Sequence, residues 1–334
     1  IAIHGAGWVA HAHAASWRKN PHARIVSVSD VDGERARRFA AEFELDCRVR
    51  DDYREVLDDG EVDVVDITGP SHVHAQQGIA AVQAGKHLLV EKPMGLTLAE
   101  IRALRDAVAR AKVKSVTSFV LRWNPAVETI RSLVSGGAIG QLVYAEVDYW
   151  HRIRPTHHAW DLHSRKQTGG SAMLLAGCHA VDALRWLTGD EVVELSAVGN
   201  NPRDLFEYPA NAVAVLRFRN GIIGKTSVLL DCELPYQFNM DLAGTEGTIR
   251  DNRLWSKRLL PGQTGWASVP TVLPDSGDVT HHPFDGEINH LVQCILEDRE
   301  SHCSVADAYL SHEVCLAIDR SLEDGGRPVT LPLP

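Results

Sequence analysis

One turn constrains this chain more than any other feature. Gly5-Ala6-Gly7-Trp8-Val9-Ala10 follows a strand-like start, Ile1–His4, and opens a helix-like run, Trp8–Lys19, that stops at Asn20-Pro21. The pattern is G-x-G-x-x-G/A with alanine in third place. The first glycine permits the tight turn, the second lets backbone approach a pyrophosphate, and the small third residue lets helix pack on strand. The helix start aims bare N–H groups and a positive dipole end at the phosphates. A glycine pattern alone is a weak signal, but its context agrees: it joins the first strand to the first helix, and Asp30 closes the next strand twenty residues past Ala10. A carboxylate there hydrogen-bonds a ribose 2′-hydroxyl and repels a 2′-phosphate. Val31 follows it rather than an arginine, so the turn is expected to take NAD, not NADP. Gly5, Ala6, Gly7, Trp8, Val9 and Asp30 are the first candidate cofactor contacts.

The rest of the first third alternates short apolar runs with helical patterns. Arg24–Ser29, Val62–Thr68, His87–Val90 and Ser115–Leu121 read as strands, and Asp32–Phe43, His72–Ala84 and Leu98–Lys112 as helices. That alternation predicts a parallel sheet with helical crossovers, an N-terminal Rossmann fold. The rhythm changes near residue 122. After helical Asn124–Ser135 comes a long strand, Leu142–Ile153, then a helix over Ser171–Leu187, then strand runs at Val192–Val198, Ala212–Arg219, Ile222–Asp231 and Gln237–Ala243. Asn220-Gly221 is a hairpin signal. Late helices are expected at Gly286–Glu297 and Val305–Leu322. The expected class is α/β, with a Rossmann domain over 1–122 and a C-terminal α+β domain over 123–334 built on a large, mostly antiparallel open sheet. A length of 334 residues suits two domains.

Ala84-Gly85-Lys86-His87-Leu88-Leu89-Val90-Glu91-Lys92-Pro93 places a lysine at the carboxyl end of a strand, where open α/β sheets bind ligands. This segment resembles the Glu-Lys-Pro signature of the glucose–fructose oxidoreductase, inositol dehydrogenase and rhizopine catabolism (Gfo/Idh/MocA) family. Asp63–His74 is similar to that family's strand followed by Thr-Pro-x-x-x-His, here Thr68-Gly69-Pro70-Ser71-His72-Val73-His74. Arg122-Trp123-Asn124-Pro125 resembles its step out of the Rossmann domain, Gly136–Gly140 its turn before the long strand, and Ser321–Val329 its usual end. The motifs occur in order over nearly the whole chain. The resemblance implies that Thr68, Pro70, His74, Glu91, Lys92 and Arg122 join the cofactor contacts, and that Lys92 faces the nicotinamide.

The family's second-domain helix carries G-G-x-x-x-D-x-G-x-H-x-x-D. Here Gly169, Gly170, Gly177, His179 and Asp182 match, and Leu175 stands where the family's first aspartate stands. The resemblance therefore supports Lys92 and His179 as the catalytic pair. Oxidising a secondary alcohol removes a hydride from carbon and a proton from oxygen. Histidine accepts protons near neutral pH, and an ammonium stabilises a developing alkoxide. His179 as base and Lys92 as electrophilic partner is the expected assignment, and the reverse stays open. Asp182 lies at i+3 on the same helix face, either orienting the His179 ring or pairing elsewhere.

Trp150 to Lys166 is rich in histidine, arginine and tryptophan; Trp150, His157 and Trp160, with Lys92, His179 and Asp182, are the candidate substrate contacts. An aromatic face covers sugar C–H groups, while the positive groups also suit an acidic sugar. Seventeen histidines invite a metal, through His157-His158, His281-His282, His11/His13 or His72/His74. None makes the i, i+4 helix pair with carboxylate of a zinc site, so no metal is expected. A net charge of −10, with 44 acids against 34 bases, argues against nucleic acid. No apolar run spans a membrane, and six cysteines without a paired spacing suit a reduced cytoplasm. The chain opens in a strand without a charged-then-apolar leader. The resemblance implies an NAD-dependent dehydrogenase of a sugar, glycoside or cyclic polyol such as an inositol, assembled as a dimer or tetramer. Some members of the family retain NAD and cleave glycosides, and some sense ligands without catalysis; these are the rival readings.

Overall fold

A computed structural model describes residues 1–271 and 282–334. The chain divides into two compact units, Ile1–Val120 with Pro283–Tyr309, and Leu121–His282 with Leu310–Pro334. The change of unit falls two residues before the expected boundary at 122. Residues 283–309 belong to the first unit rather than to a continuous second domain over 123–334.

The first unit holds strands β1 (Ala2–His4), β2 (Ser27–Ser29), β3 (Arg48–Arg50), β4 (Val64–Ile67), β5 (His87–Val90) and β6 (Ser115–Thr117). Their order is β3-β2-β1-β4-β5-β6 and every pairing is parallel, the Rossmann arrangement. Between them run α1 (Trp8–Trp17), α2 (Gly33–Glu42), α3 (Tyr53–Leu57), α4 (His74–Gln83) and α5 (Leu98–Ala111). The helices start where the chain supplies caps. The Asp32 carboxylate accepts the Glu34 and Arg35 amides, and Thr97 with Glu100 forms a capping box. Each such cap stabilises its helix by about 1 kcal/mol. β3 and α3 left no clear pattern in the sequence, because Arg48-Val49-Arg50 is a polar, largely exposed edge.

β4 is buried along its whole length, yet its third residue is Asp66. The carboxylate is met inside the sheet. His13 Nδ1 lies 2.9 and 3.1 Å from its two oxygens, and Trp17 Nε1 donates to it at 2.7 Å. His13 Nε2 reaches Glu91 Oε1 at 3.0 Å, and Glu287 Oε1 lies 3.9 Å from the same nitrogen. Burial opposes a charge on His13, but Asp66 and Glu91 raise its basicity well above the usual histidine value. Burial likewise works against the Glu91 carboxylate, but the hydrogen bond and charge of His13, helped by Lys92 and Ser118, hold it at about 2. Glu287 comes from α10 (Phe284–Leu296), whose Asp285 also pairs with Lys19. These contacts are why the late helix joins the first unit.

The second unit starts with α6 (Pro125–Ser135), capped by Asn124, and β7 (Leu142–Trp150). Two short helices, α7 (Trp160–His163) and α8 (Lys166–Gly169), precede a single π turn, Met173–Gly177, that feeds α9 (Cys178–Thr188). Then come β8 (Val192–Asn200), β9 (Asn211–Phe218), β10 (Ile223–Leu229), β11 (Gln237–Gly244), β12 (Gly247–Arg250), β13 (Arg253–Ser256) and β14 (Ala267–Ser268). The helix α11 (Val305–Glu323) and strand β15 (Val329–Thr330) end the chain. The sheet order is β14-β13-β12-β11-β7-β10-β9-β8-β15. It is open and mostly antiparallel, with one parallel pair, β7 and β10. β9 alternates: Ala212, Ala214, Leu216 and Phe218 face the core, while Val213, Val215 and Arg217 face out. The outer face carries exposed Val198, Val213, Val215 and Ile223, the first at 69% and the last at 58%.

Replacing Asp66 by alanine leaves His13 and Trp17 facing a buried void, and is expected to destabilise the protein by about 3–5 kcal/mol in urea unfolding. Burial, with Glu91 and Asp66 adding and His13 opposing, lifts the Glu287 carboxyl from its usual 4.5 to about 8. The unfolded chain then binds fewer protons than the folded one between those two values, so this group's contribution to stability is lost as pH rises through that window. Glu287→Gln abolishes the loss. Its Tm relative to the unmutated protein should be more favourable at about pH 8.5 than at about pH 5, read by thermal unfolding.

Candidate active site

In the first unit, the turn after β1 is held too tightly for any other residue at its start. Gly5 has φ +102°, and a Cβ there would stand 2.5 Å from Gly69 N. Thr68 Oγ1 donates to Gly5 O at 2.7 Å and ties the turn to the end of β4. Gly7 has open space instead: only Thr68 O comes within 4.0 Å of the position its Cβ would take. No side chain caps α1 at Gly7. The amides that begin this ten-residue helix thus meet a clear approach, which fits a dinucleotide pyrophosphate. Ala6 is buried, while Trp8 is exposed and Val9 half-buried on the first turn of α1.

Asp30 is buried at the end of β2. Its Oδ2 accepts the Ala6 amide at 2.9 Å and its Oδ1 accepts the Asp32 amide at 2.9 Å. Arg35 Nη1 lies 3.3 Å from both oxygens. Asp30 therefore braces the glycine turn as well as offering a carboxylate to a ribose. His74, at the head of α4, spans two carbonyls: Pro93 O at 2.7 Å from Nδ1 and Gly69 O at 2.8 Å from Nε2. It pins the loop after β4, which carries exposed Pro70, to the turn after β5. Lys92, half-buried, donates its backbone N–H to Glu91 Oε2 at 3.1 Å. Asp30, His74, Glu91 and Lys92 all stand on the carboxyl side of the parallel sheet.

In the second unit, His179 sits one residue into α9 and is 2% exposed. Leu175 lies four residues earlier in the π turn, buried and apolar. The His179 ring is nearly parallel to Tyr149 at 5.8 Å between centroids, and His282 lies 5.6 Å away. Tyr236 packs edge-on against Tyr149 at 5.1 Å and against His151 at 5.3 Å. Burial pushes both phenols upward, so they stay protonated hydrogen-bond donors at neutral pH. Tyr149 and Tyr236 were not singled out in the sequence, and His282 only as half of the His281-His282 pair weighed for a metal. The signal for Tyr149 was the alternation of β7, which puts Ala145, Val147 and Tyr149 on the face that packs against α9.

The same alternation corrects the expectation for Trp150. It faces the other side of the sheet, donating to Ser227 Oγ at 2.8 Å beside Asp148 and Lys225. Asp182 pairs away from His179: Arg122 donates to it through Nε at 2.7 Å and Nη2 at 2.6 Å, and Ser311 adds a third bond at 2.7 Å. Arg122, expected at the cofactor, is thus a buried ion-pair partner within the second unit, its guanidinium also lying over Trp186. His157 stacks near His158 and His163, and burial, with His158 and His151 beside it, lowers its basicity to about 4. Trp160 packs edge-on against Phe206.

Of the histidine pairs, His281-His282 falls partly outside the described residues. Among the described residues, His13, Glu91 and Glu287 are close enough to share an ion. Glu91 there already meets the His13 imidazolium at 3.0 Å, which balances its charge, while Glu287, 3.9 Å from the same nitrogen, is pushed up to about 8 by burial. No helix among the described residues is long and apolar enough to cross a membrane.

A Rossmann sheet with its glycine turn and acid, joined to a sheet unit carrying a buried histidine, defines an NAD-dependent oxidoreductase. The chain belongs to the Gfo/Idh/MocA family. The description of an oxidoreductase family with an NAD-binding Rossmann fold matches residues 1–119, and that of the GFO/IDH/MocA C-terminal domain matches residues 127–250. It is similar to scyllo-inositol 2-dehydrogenase (NAD(+)) of Bacillus subtilis, 27% identical over 99% of this chain and 95% of the relative. It is also similar to D-apiose dehydrogenase of Paraburkholderia graminis, 31% identical over 80% of this chain and 74% of the relative. The fold matches a levoglucosan dehydrogenase in complex with NADH, with a TM-score of 0.88, 24% identity and coverage of 100% and 99% of the two chains.

Asp30→Ala removes both the brace on Ala6 and the carboxylate for the ribose. NAD affinity should fall by about tenfold or more while NADP loses less, measured by quenching of protein fluorescence with each dinucleotide.

Proposed function

We propose that this protein oxidises a secondary hydroxyl of a neutral sugar, glycoside or cyclic polyol, with NAD as hydride acceptor, Lys92 and His179 acting on the reacting hydroxyl. The observation that carries the reading is a pair of held groups. Lys92 has its backbone N–H held by Glu91, and His74 holds the carbonyl of Pro93 next to it. His179 is buried against Tyr149, whose phenol, like that of Tyr236 beside it, stays a protonated donor. When bound, the nicotinamide supplies the hydride acceptor. Lys92 Nζ hydrogen-bonds the substrate oxygen and stabilises the alkoxide as it develops. A ring nitrogen of His179 takes the hydroxyl proton. Glu91, His74 and Thr68 keep the turns around the cofactor in place. Tyr149, Tyr236, His151 and His282 offer hydroxyls and imidazoles for the other sugar oxygens.

The charges in the polar stretch favour an uncharged substrate over a sugar acid. Arg152 and Arg154 both pair with Glu233, Arg203 pairs with Asp231, and Lys166 with Glu323. The apolar outer face of the second sheet, with Val198, Val213, Val215 and Ile223, supports assembly of copies face to face as a dimer or tetramer. Six free cysteines, four of them buried, suit a reducing cytoplasm.

The test is NADH formation by the purified protein across inositols, pyranoses, glycosides and sugar acids. Turnover is expected with a neutral polyol or sugar and NAD. Lys92→Ala should lower kcat by about 10³-fold or more and leave NAD affinity within about twofold. Turnover confined to sugar acids would overturn the neutral-substrate reading. Glycoside cleavage without net NADH would replace the dehydrogenase by the retained-cofactor glycosidase.

A further inference from the structure

His13 has no place in the chemistry just described, yet this buried side chain bonds both Asp66 and Glu91, the residue before Lys92. Its ring is fully enclosed between two carboxylates, Asp66 on β4 and Glu91 just past the end of β5. On one side stands Asp66 of β4, itself held by Trp17. On the other stands Glu91, whose second oxygen, Oε2, takes the backbone N–H of Lys92. A continuous chain of hydrogen bonds thus runs from the middle of the sheet to the amide of the reacting lysine: Asp66, His13, Glu91, Lys92. His74 fixes the next residue by bonding Pro93 O.

We propose that His13 is a positioning residue for Lys92, its imidazolium charge holding the Glu91 carboxylate ionised and oriented so that Glu91 in turn fixes Lys92. The inference rests on the reading of Lys92 as a reacting group. Its reasoning is electrostatic. A carboxylate in this interior needs a fixed countercharge within hydrogen-bond reach. The groups facing Glu91 are His13 from α1, Lys92 itself, His74 from α4, whose basicity burial lowers, Ser118 after β6, Glu287 from α10 and, through His13, Asp66 from β4. Of these only His13 and Lys92 are cationic. With His13 neutral, Glu91 would be charged only at the expense of Lys92, or would take a proton and present a hydroxyl beside the lysine. In either case the field at Lys92 changes, although no atom of His13 touches substrate or cofactor. Glu287, which holds its proton to about pH 8, keeps a second negative charge out of the cluster under ordinary conditions.

The experiment uses full-length His13→Gln, Glu91→Gln and the double variant, with NAD affinity by fluorescence and kcat across pH on the polyol that the unmutated protein oxidises. His13→Gln keeps hydrogen-bonding capacity and loses the charge. It should bind NAD within about twofold, lose at least about tenfold in kcat with KM nearly unchanged, and move the alkaline limb of kcat to lower pH. Glu91→Gln should do the same, and the double variant should be no worse than the worse single, because both act through one path. A residue that merely stabilised the fold would leave the pH limb in place and add its effect to that of Glu91→Gln. Turnover and pH limb like those of the unmutated protein in His13→Gln, or additive losses, overturn the proposal. If His13→Gln no longer binds NAD, an unmoved limb in Glu91→Gln overturns it, and a moved limb supports it. A silent unmutated protein overturns the dehydrogenase reading itself, an outcome separate from an active protein whose His13 variant is unimpaired.

Discussion

A carboxylate in the middle of a parallel sheet is the constraint on which the first unit depends. Asp66 cannot reach water, so its charge has to be answered by neighbours brought from elsewhere in the chain. Trp17 and His13, one turn apart on α1, do this and so set the rotation of that helix about its axis. The rotation of α1 decides where its first turn points. The residues that satisfy Asp66 inside the sheet are therefore on the same helix whose N-terminus opens from the glycine turn. The core contacts and the glycine turn are tied to one rigid element.

The second unit solves a different problem with period-two alternation. Along β7, one face packs against α9 and receives Tyr149, while the next residue, Trp150, turns to the outer face. The π turn before α9 adds a residue to the helical spacing at the point where the chain enters His179, and such turns often mark functional sites. Asp182 is consumed by Arg122 and Ser311, which locks α9 in place rather than tuning the histidine. A buried bidentate pair of this kind is specific in geometry even where it adds little stability.

What could be read in the sequence was local. The Gly5–Ala10 turn, Asp30, the alternation of strands and helices, and the lysine at the end of β5 each depend on residues within about twenty positions, and each stands in the structure where its pattern put it. The open, mostly antiparallel second sheet was legible from its hairpin signals. What could not be read was long-range. His13 meets Asp66 53 positions away and Glu91 78 positions away, with no periodicity to announce either contact. The side of the sheet taken by Trp150 was a matter of register, where a shift of one residue reverses the answer. The membership of α10 in the first unit depended on Glu287 and Asp285, which look in sequence like ordinary surface acids at a helix start.

That membership has a consequence for how the protein is made. The edge strand β6 is completed by the segment after α10: Thr117 exchanges bonds with Cys303, and the Val305 amide is received by Ser115. A ribosome that has released the first 120 residues has therefore delivered a sheet with one flank bare and a buried histidine cluster lacking a member. The nucleotide-binding unit is complete only once residues 283–309 have emerged. The usual order, in which an N-terminal domain finishes folding before the next is synthesised, does not hold here, because the segment that completes the first unit follows residues 121–282 of the second.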